Sequence, residues 1–322
     1  MLRRLVHVAR RTSDRLHGET RTQRTRRREL DTARPSGADP DAHEYRVELT
    51  LAREQALAAL HWTGDVADPV EVTKTMEGLA LRDPGVPFVR LGSSGDGGYV
   101  IPDDLEGVVA CVSPGVADRA DFELALLERG IPCHLLDGSV PRAPLDHPLL
   151  TFEPTFLGPR DQPGWTTLRR VIADVAPPEG DMVLQMDIEG WEWEVIPAAG
   201  SDVLSRFRII VLELHDLHLM ATRSGLRRVQ EVFSALSQDF VLVNLHPNNY
   251  EFPISWHGLS MHPVVEMTWL RQDRVQSVGP GRYPHPLNAA NSPDLPDFAL
   301  DPRWCAGTGL KPSGAASRAT SV

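Results

Sequence analysis

The chain has 322 residues, of which 41% are hydrophobic and 24% charged, as is usual for a globular protein. Its net charge of −11 is uneven: ten arginines lie in the first thirty residues, and the rest is acidic, which excludes general nucleic-acid binding. The three cysteines are too few for a disulfide framework, and no apolar run approaches the ~18 residues of a membrane span. The run Leu5–Ala9 is too short for a signal peptide, so a cytoplasmic protein is predicted.

The N-terminal part is predicted to lie outside the main domain. Residues 1–40 form a basic arm with a linker composition, which we expect to be flexible. Alternatively, Leu2, Leu5, Val6 and Ala9 form one side of a short amphipathic helix that contacts an acidic membrane surface or a partner. Apolar spacing predicts helices over 43–60 and 70–81, so that residues 41–85 make a helical extension.

The remainder of the chain alternates between strands and helices. Apolar runs predict strands at 107–112, 131–137, 149–153, 182–187, 208–215, 240–246 and 264–270. Helical spacing appears at 120–130, 167–175 and 226–236. This alternation predicts an α/β fold over residues 86–275, with a doubly wound, seven-stranded, mostly parallel sheet. The last two strands are joined without a helical pattern, which predicts a hairpin and one antiparallel edge strand. Residues 276–322 are expected to form a surface strap and a disordered tail.

Two glycine-containing turns indicate a ligand crevice. Residues 92–98 hold four glycines with Asp96 among them, so this backbone can approach a ligand closely. A second turn, at Gly115, is followed 22 residues later by Asp137 at a strand end. This spacing is typical of an acid that accepts hydrogen bonds from a ribose. The full Gly-x-Gly-x-x-Gly pattern is absent, which favours a cofactor without phosphate.

Further acids and histidines follow three later strands. Asp187 ends the strand at 182–187, and Gly190 permits a sharp turn into a helix that Trp191 is expected to pack onto the sheet. Glu213 and His215 end the next strand, and His246 ends the one after it. Since the carboxyl ends of parallel strands meet at one edge, these side chains are predicted to converge.

The order of these motifs resembles the FkbM-type methyltransferases, a group with the Rossmann-like class I S-adenosylmethionine-dependent methyltransferase fold. The resemblance covers residues 86–300. It is carried by the segments 96–99, 113–117 with Phe122-Glu123, 186–193, 213–215, 246–249, 266–270 and 283–287.

The resemblance implies methyl transfer from S-adenosylmethionine to a hydroxyl oxygen of a small molecule or glycan, such as a sugar or a secondary metabolite. It also implies which residues hold the cofactor. Ser113 and Gly115 would face the methionine part, Asp137 the ribose hydroxyls and Glu153 the adenine. Asp96, Gly97 and Gly98 would close over the amino-acid end.

Attack by a hydroxyl on a sulfonium methyl group requires in-line positioning and a group that takes the proton. His215 or His246 is the natural general base, with Asp187 as the floor of the acceptor pocket. Alternatively, Asp187, Glu213 and His215 hold a divalent cation that polarises the hydroxyl. Each histidine could equally be a structural hydrogen-bonding residue. Two other functions stay open: a nicotinamide-dependent oxidoreductase, and a non-catalytic module that binds a carbohydrate or protein.

Overall fold

The computed structural model describes residues 21–34, 39–60 and 64–305. The proposed amphipathic helix at residues 2–9 and the tail beyond residue 305 lie outside the described residues. None of the helices in these three ranges has the length and apolar character needed to cross a membrane.

Part of the basic arm is helical. Residues 21–32 form a helix, and Leu30 is buried in a small apolar cluster with Val47, Leu51 and Phe252. This packing differs from the flexible arm expected there, because Leu30 is buried and Arg26 and Arg27 form ion pairs with Glu54 and Glu48 at 3.1 Å. The α-helices are α1 (Arg21–Thr32), α2 (Pro40–Ala59), α3 (Pro69–Gly78), α4 (Asp121–Leu127), α5 (Leu168–Val175), α6 (Glu192–Ala199), α7 (Ser201–Leu204) and α8 (Arg223–Ser237).

Seven strands form the central sheet, and the others make short two-stranded pairs. The strands are β1 (Arg82–Asp83), β2 (Phe88–Gly92), β3 (Gly98–Pro102), β4 (Val108–Pro114), β5 (Cys133–Leu136), β6 (Leu150–Glu153), β7 (Phe156–Leu157), β8 (Trp165–Thr166), β9 (Asp181–Met186), β10 (Phe207–Leu214), β11 (Phe240–Pro247), β12 (Ile254–Trp256), β13 (Leu259–Met261), β14 (Val265–Arg271) and β15 (Gly279–Pro280).

The order of the central sheet is β11-β14-β10-β9-β4-β5-β6. Strand β14 pairs antiparallel with both β10 and β11, and the remaining pairs are parallel. The predicted antiparallel edge strand is therefore wrong in its position, since β14 lies inside the sheet and β11 forms the edge. Residues of β14 are almost all buried, so the inner position satisfies both its apolar side chains and its backbone hydrogen bonds.

Both faces of the sheet are covered by apolar clusters. Helices α3, α5, α6 and α8 pack on one face, and α4 packs with the β2–β3 hairpin on the other. The hairpin is fixed to the inner antiparallel strand, because Thr268 donates its hydroxyl hydrogen to the Val100 carbonyl at 2.7 Å. This arrangement brings the loop between β2 and β3 to the carboxyl ends of β4, β9 and β10.

The segment after β14 returns across the molecule as a packed strap. Strand β15 pairs with β1, and the Tyr283 hydroxyl accepts a hydrogen bond from the backbone of Leu300 at 2.7 Å. Trp304 is buried near the end of the described chain.

Candidate functional site

The turn after β9 is held by a buried carboxylate. Glu192 is fully buried; its Oε1 accepts the backbone N–H of Ile188 and its Oε2 that of Gly190, each at 2.9 Å. Glu189, between them, has a φ of 56°, a conformation that side chains other than glycine seldom adopt. Asp187, which precedes this turn, is thereby fixed at the end of β9.

His215 stands directly after β10, among three carboxylates. Its Nδ1 lies 3.3 Å from Glu192 Oε1, and its Nε2 lies 3.7 Å from both Asp187 Oδ1 and Glu189 Oε2. Burial lowers the pKa of His215, but the hydrogen bond to Glu192 and the charges of Glu192, Asp187 and Glu213 outweigh burial and raise that pKa to about 10. The side chain is therefore an imidazolium at neutral pH, which differs from the free base that the sequence suggested.

For the pKa of Asp187, burial outweighs the neighbouring positive charge. Burial raises the pKa of its carboxyl to about 7; His215 opposes this shift, and the charges of Glu189, Glu192 and Asp96 add to it. A carboxyl that titrates near neutral pH beside a cavity has the properties of a general base.

The set of residues that could hold a cation differs from the one expected. Ligand atoms of Asp187, Glu192 and His215 lie within 4.8 Å of one another. Glu213 is not in this group; its carboxyl group instead accepts a hydrogen bond from Asn248 at 2.8 Å and lies 3.4 Å from the Tyr99 hydroxyl. Both oxygens of Glu192 already accept hydrogen bonds from backbone N–H groups. Both ring nitrogens of His215 face carboxylates, as expected of a ring that carries a proton on each nitrogen. These contacts fit an imidazolium better than a metal ion.

The structure does not bring His246 to Asp187. His246 lies on the edge strand β11, where its Nδ1 is 3.6 Å from Glu266 Oε2 and its Nε2 is 3.5 Å from Asp297 Oδ1. Burial lowers its pKa, but these two acids raise it to about 9. Two strands, β14 and β10, separate β11 from β9, because β14 inserts into the sheet. This placement makes His246 a buried ionic partner.

Two cavities meet at the carboxyl ends of the strands. The larger, about 510 Å³, is here called the aromatic cavity and the smaller, about 220 Å³, the acidic cavity. Both are lined by Gly115, Ala117, Asp187 and Glu189. Asp187 therefore stands on the boundary between two compartments of different chemistry.

The aromatic cavity has a wall of stacked rings. The ring centroids of Phe156 and Trp165 are 5.0 Å apart, and those of Trp165 and Trp191 are 4.8 Å apart. Trp191 is 42% exposed, so it forms this wall rather than packing α6 onto the sheet; the buried Trp193 takes that role. Phe156 and Trp165 were not predicted as site residues, because their only signal is aromatic character in a segment without helical or strand periodicity.

Asp137 lies in the aromatic cavity and is anchored by two loops. Its Oδ2 accepts the backbone N–H of Ala117 at 2.7 Å, and its Oδ1 accepts the N–H and hydroxyl of Ser139 at 2.7 and 2.6 Å. A carboxylate can accept about four hydrogen bonds, so capacity remains for a ligand. Glu153, by contrast, lines neither cavity; its side chain is half exposed, with Oε1 3.6 Å from His134 Nε2.

The acidic cavity holds Asp96 and Gly97 but not Gly98. Gly98 begins β3 and is buried, and a Cβ there would meet the Ser93 carbonyl oxygen at 2.1 Å. The rest of the lining consists mainly of Tyr99, Val116, Asp118, Arg119, Asp121, Phe122, Glu123 and Gln185.

Of the two residues predicted at the turn after β4, Gly115 lines the cavities and Ser113 does not. Ser113 is completely buried behind the acidic cavity, where its hydroxyl contacts Glu123 and lies 2.7 Å from Gln185 Oε1. It lines neither cavity, because the end of β4 turns its side chain into the core. Gly115 has a φ of 90° and lines both cavities.

One comparison with known proteins matches a family over part of the chain. Residues 165–249 match the family described as the methyltransferase FkbM domain. No curated protein matches the sequence at a significant level. A candidate methyltransferase of Thermoplasma acidophilum is 11% identical, with a TM-score of 0.28 over 51% of this chain and 69% of that chain.

A candidate methyltransferase of Streptococcus mutans, solved in complex with SAH, is 10% identical. Its TM-score is 0.27 over 63% of this chain and 98% of that chain. The segment that matches the family runs from Trp165 through the Asp187 turn and His215 to Asn249. Residues 165–249, which match the methyltransferase FkbM domain, include Asp187 and Glu189 at the boundary between the two cavities.

Proposed function

We propose that the protein is an S-adenosylmethionine-dependent O-methyltransferase that acts on a hydroxyl group of a small molecule or glycan. The observation that carries the proposal is the position of Asp187 between an aromatic cavity containing Asp137 and a smaller acidic cavity. The FkbM domain match of residues 165–249 supports the same activity.

The residues fit the two halves of that cofactor. Phe156 and Trp165 offer flat rings for adenine, and Asp137 has acceptor capacity left for one ribose hydroxyl. In the acidic cavity, Asp96 and Glu189 suit the cationic sulfonium and ammonium groups. Arg119, which donates to Asp121 at 2.8 Å, would hold the carboxylate.

The cofactor supplies an electrophilic methyl group on sulfur, so the acceptor oxygen displaces the sulfide and must lose its proton. Asp187 is proposed as the base that takes this proton, since its pKa of about 7 makes it half ionised at neutral pH. His215, held by Glu192, supplies a positive charge beside Asp187. Glu192 and the turn 188–190 keep the two side chains in place.

The alternative function, a nicotinamide-dependent oxidoreductase, is disfavoured by the negative charges that line the cavities near Gly115. A dinucleotide would place a pyrophosphate near the turn at Gly115, where Asp118, Asp187 and Glu189 line the cavities. A phosphate-binding turn instead offers backbone N–H groups and positive charge. A divalent cation at Asp187, Glu192 and His215 is the alternative to a proton-bearing histidine.

The first test is isothermal calorimetry with S-adenosylmethionine, S-adenosylhomocysteine and NAD. We expect the first two to bind and NAD to give no heat. Binding of NAD alone would establish the oxidoreductase, and binding of none would support a non-catalytic module.

The second test is transfer of tritiated methyl groups to a panel of saccharides and hydroxylated natural products, with Asp187→Asn and the exposed control Asp202→Asn. We expect Asp187→Asn to bind S-adenosylhomocysteine and to lose transfer by about a hundredfold or more. Full transfer by Asp187→Asn would remove it as the base. Loss of transfer after exhaustive chelation, with recovery on adding Mg²⁺ or Mn²⁺, would favour the metal.

A further inference from the structure

The C-terminal strap, residues 276–305, returns to the acidic cavity at one point. Asn249, just after β11, donates its side-chain hydrogens to the carbonyls of Ser292 at 2.9 Å and Leu295 at 3.2 Å. Its Oδ1 accepts the backbone N–H of Ser292 at 2.8 Å. One buried side chain thus fixes the strap at residues 292–295, and the preceding residue, Asn291, is held against the site.

Asn291 contacts the glycine-rich loop, residues 92–98, through its backbone and its side chain. Its carbonyl accepts the backbone N–H of Asp96 at 3.0 Å. Its Nδ2 donates to Glu266 Oε1 at 2.6 Å and lies 3.4 Å from Asp96 Oδ1. The approach is close, since a Cβ on Gly95 would meet the Asn291 carbonyl oxygen at 2.8 Å.

The same loop forms a wall of the acidic cavity. Asp96 and Gly97 line that cavity, and Arg90 holds the other side of the loop through the carbonyls of Ser93 at 3.0 Å and Gly95 at 2.7 Å. A loop with four glycines has large conformational freedom when unbound, so its native shape depends on such external contacts. The Asn291 side chain supplies such a contact, with its Nδ2 3.4 Å from the Asp96 carboxylate.

We propose that Asn291 is a positioning residue for the amino-acid end of the cofactor: the strap orders the Asp96 loop and so completes the acidic cavity from a part of the chain outside the strands that carry Asp137 and Asp187. This inference rests on the proposed use of S-adenosylmethionine. It assigns the strap to the binding site. It also predicts that removal of the Asn291 side chain leaves the affinity for ligands without the amino-acid end unchanged.

The test compares Asn291→Ala with Asn288→Ala. Asn288 lies on the same strap, but its side-chain hydrogen bonds go to Asn244 at 3.0 and 3.2 Å and to the Leu245 carbonyl at 3.4 Å, on β11 rather than on the loop. Calorimetry would use two probes, S-adenosylhomocysteine and 5′-methylthioadenosine, the second of which lacks the amino-acid end. For Asn291→Ala we expect about tenfold weaker binding of S-adenosylhomocysteine and unchanged binding of 5′-methylthioadenosine. Asn288→Ala should bind both probes as the wild type does.

Equal losses for the two probes in Asn291→Ala would show a purely structural role, and no loss for either would also overturn the inference. Hydrogen–deuterium exchange of the amides in residues 92–98 gives a readout without cofactor: exchange should be faster in Asn291→Ala and unchanged in Asn288→Ala. If the wild type bound neither probe, the proposed function and the cofactor role would fail together. The exchange rates would then decide separately whether Asn291 orders the loop.

Discussion

The Ser113 hydroxyl contacts the carboxyl group of Glu123 and also lies 2.7 Å from the side-chain oxygen of Gln185, although it has a single hydrogen to donate. The chain of contacts continues from Gln185 to Tyr99 at 3.2 Å and from Tyr99 to Glu213 at 3.4 Å. Each of these four contacts needs one hydrogen. Ser113, Tyr99 and the side-chain nitrogen of Gln185 supply three of these hydrogens, in either orientation of the Gln185 amide. The fourth must come from a protonated carboxyl at one end.

We therefore expect one neutral carboxylic acid to be shared between Glu123 and Glu213 at neutral pH. Burial raises the pKa of both groups, which agrees with the hydrogen count. Infrared difference spectra at pH 9, where Asp187 with its pKa of about 7 is ionised, should show a neutral carboxyl C=O stretch that is lost in Glu123→Gln and also in Glu213→Gln. The exposed control Glu77→Gln should retain it. A spectrum unchanged in both buried variants would contradict the count.

Substitution of Gly115 should be far more costly than substitution of another glycine with similar backbone geometry. A Cβ on Gly115 would lie 1.6 Å from the Asp187 carbonyl oxygen, whereas one on Gly130, with a φ of 77°, would meet nothing within 4 Å. We expect Gly130→Ala to cost about 1 kcal/mol from backbone strain alone. Gly115→Ala should cost about 3 kcal/mol or more, because the ends of β4 and β9 must separate. Urea unfolding measures both, and equal losses would show that the close approach is unimportant.

Two buried histidines near the strap should affect stability with opposite dependence on pH. Burial lowers the pKa of His262 to about 4, although Asp301 and Asp297 oppose this shift. The unfolded chain, with a histidine pKa near ~6.5, then binds more protons than the folded protein between these values. The contribution of His262 is present above pH ~6.5, and about 3 kcal/mol is lost as pH falls towards 4.

For His246, the folded pKa of about 9 is above the unfolded value, so its contribution is full below pH ~6.5 and is lost as pH rises to 9. Denaturant unfolding at several pH values checks both signs. His262→Gln should flatten the acid side of the stability profile. The deficit of His246→Gln should be largest at pH 6 and should shrink towards pH 9. A deficit of His246→Gln that is independent of pH would contradict its ionic role.

Removal of the Asp137 carboxylate should weaken cofactor binding without removing the aromatic wall. Asp137→Ala deletes the proposed ribose acceptor and three hydrogen bonds that hold Ala117 and Ser139. We expect about a hundredfold loss of affinity for S-adenosylhomocysteine, the effect of one or two lost hydrogen bonds to a charged group. Calorimetry measures this, and Asp174→Ala, in an exposed pair with Arg170, is the control. Unchanged binding by Asp137→Ala would place the ribose elsewhere.

Much of the architecture could be predicted from local pattern. The seven strands of the sheet overlap the seven apolar runs that predicted them, since a buried parallel strand needs apolar side chains on both faces. Asp137 and Asp187 could be predicted as site residues for the same local reason, because each is an acid at the end of an apolar run. The position of β14 could not be predicted, because a hairpin partner on the edge and one inserted between two strands have the same periodicity.

The sequence by itself determined the succession of strands and helices and which carboxylates end the strands, because these depend on neighbouring residues in the chain. Only the tertiary structure decided which of these groups meet. Insertion of β14 separates His246 from Asp187, Glu192 replaces Glu213 beside His215, and the strap carries Asn291 to Asp96 across 195 residues. The structure also decided the protonation of His215 and Asp187. Their pKa values depend on burial and on charges brought close by the turn at 188–190, and no local pattern contains that information.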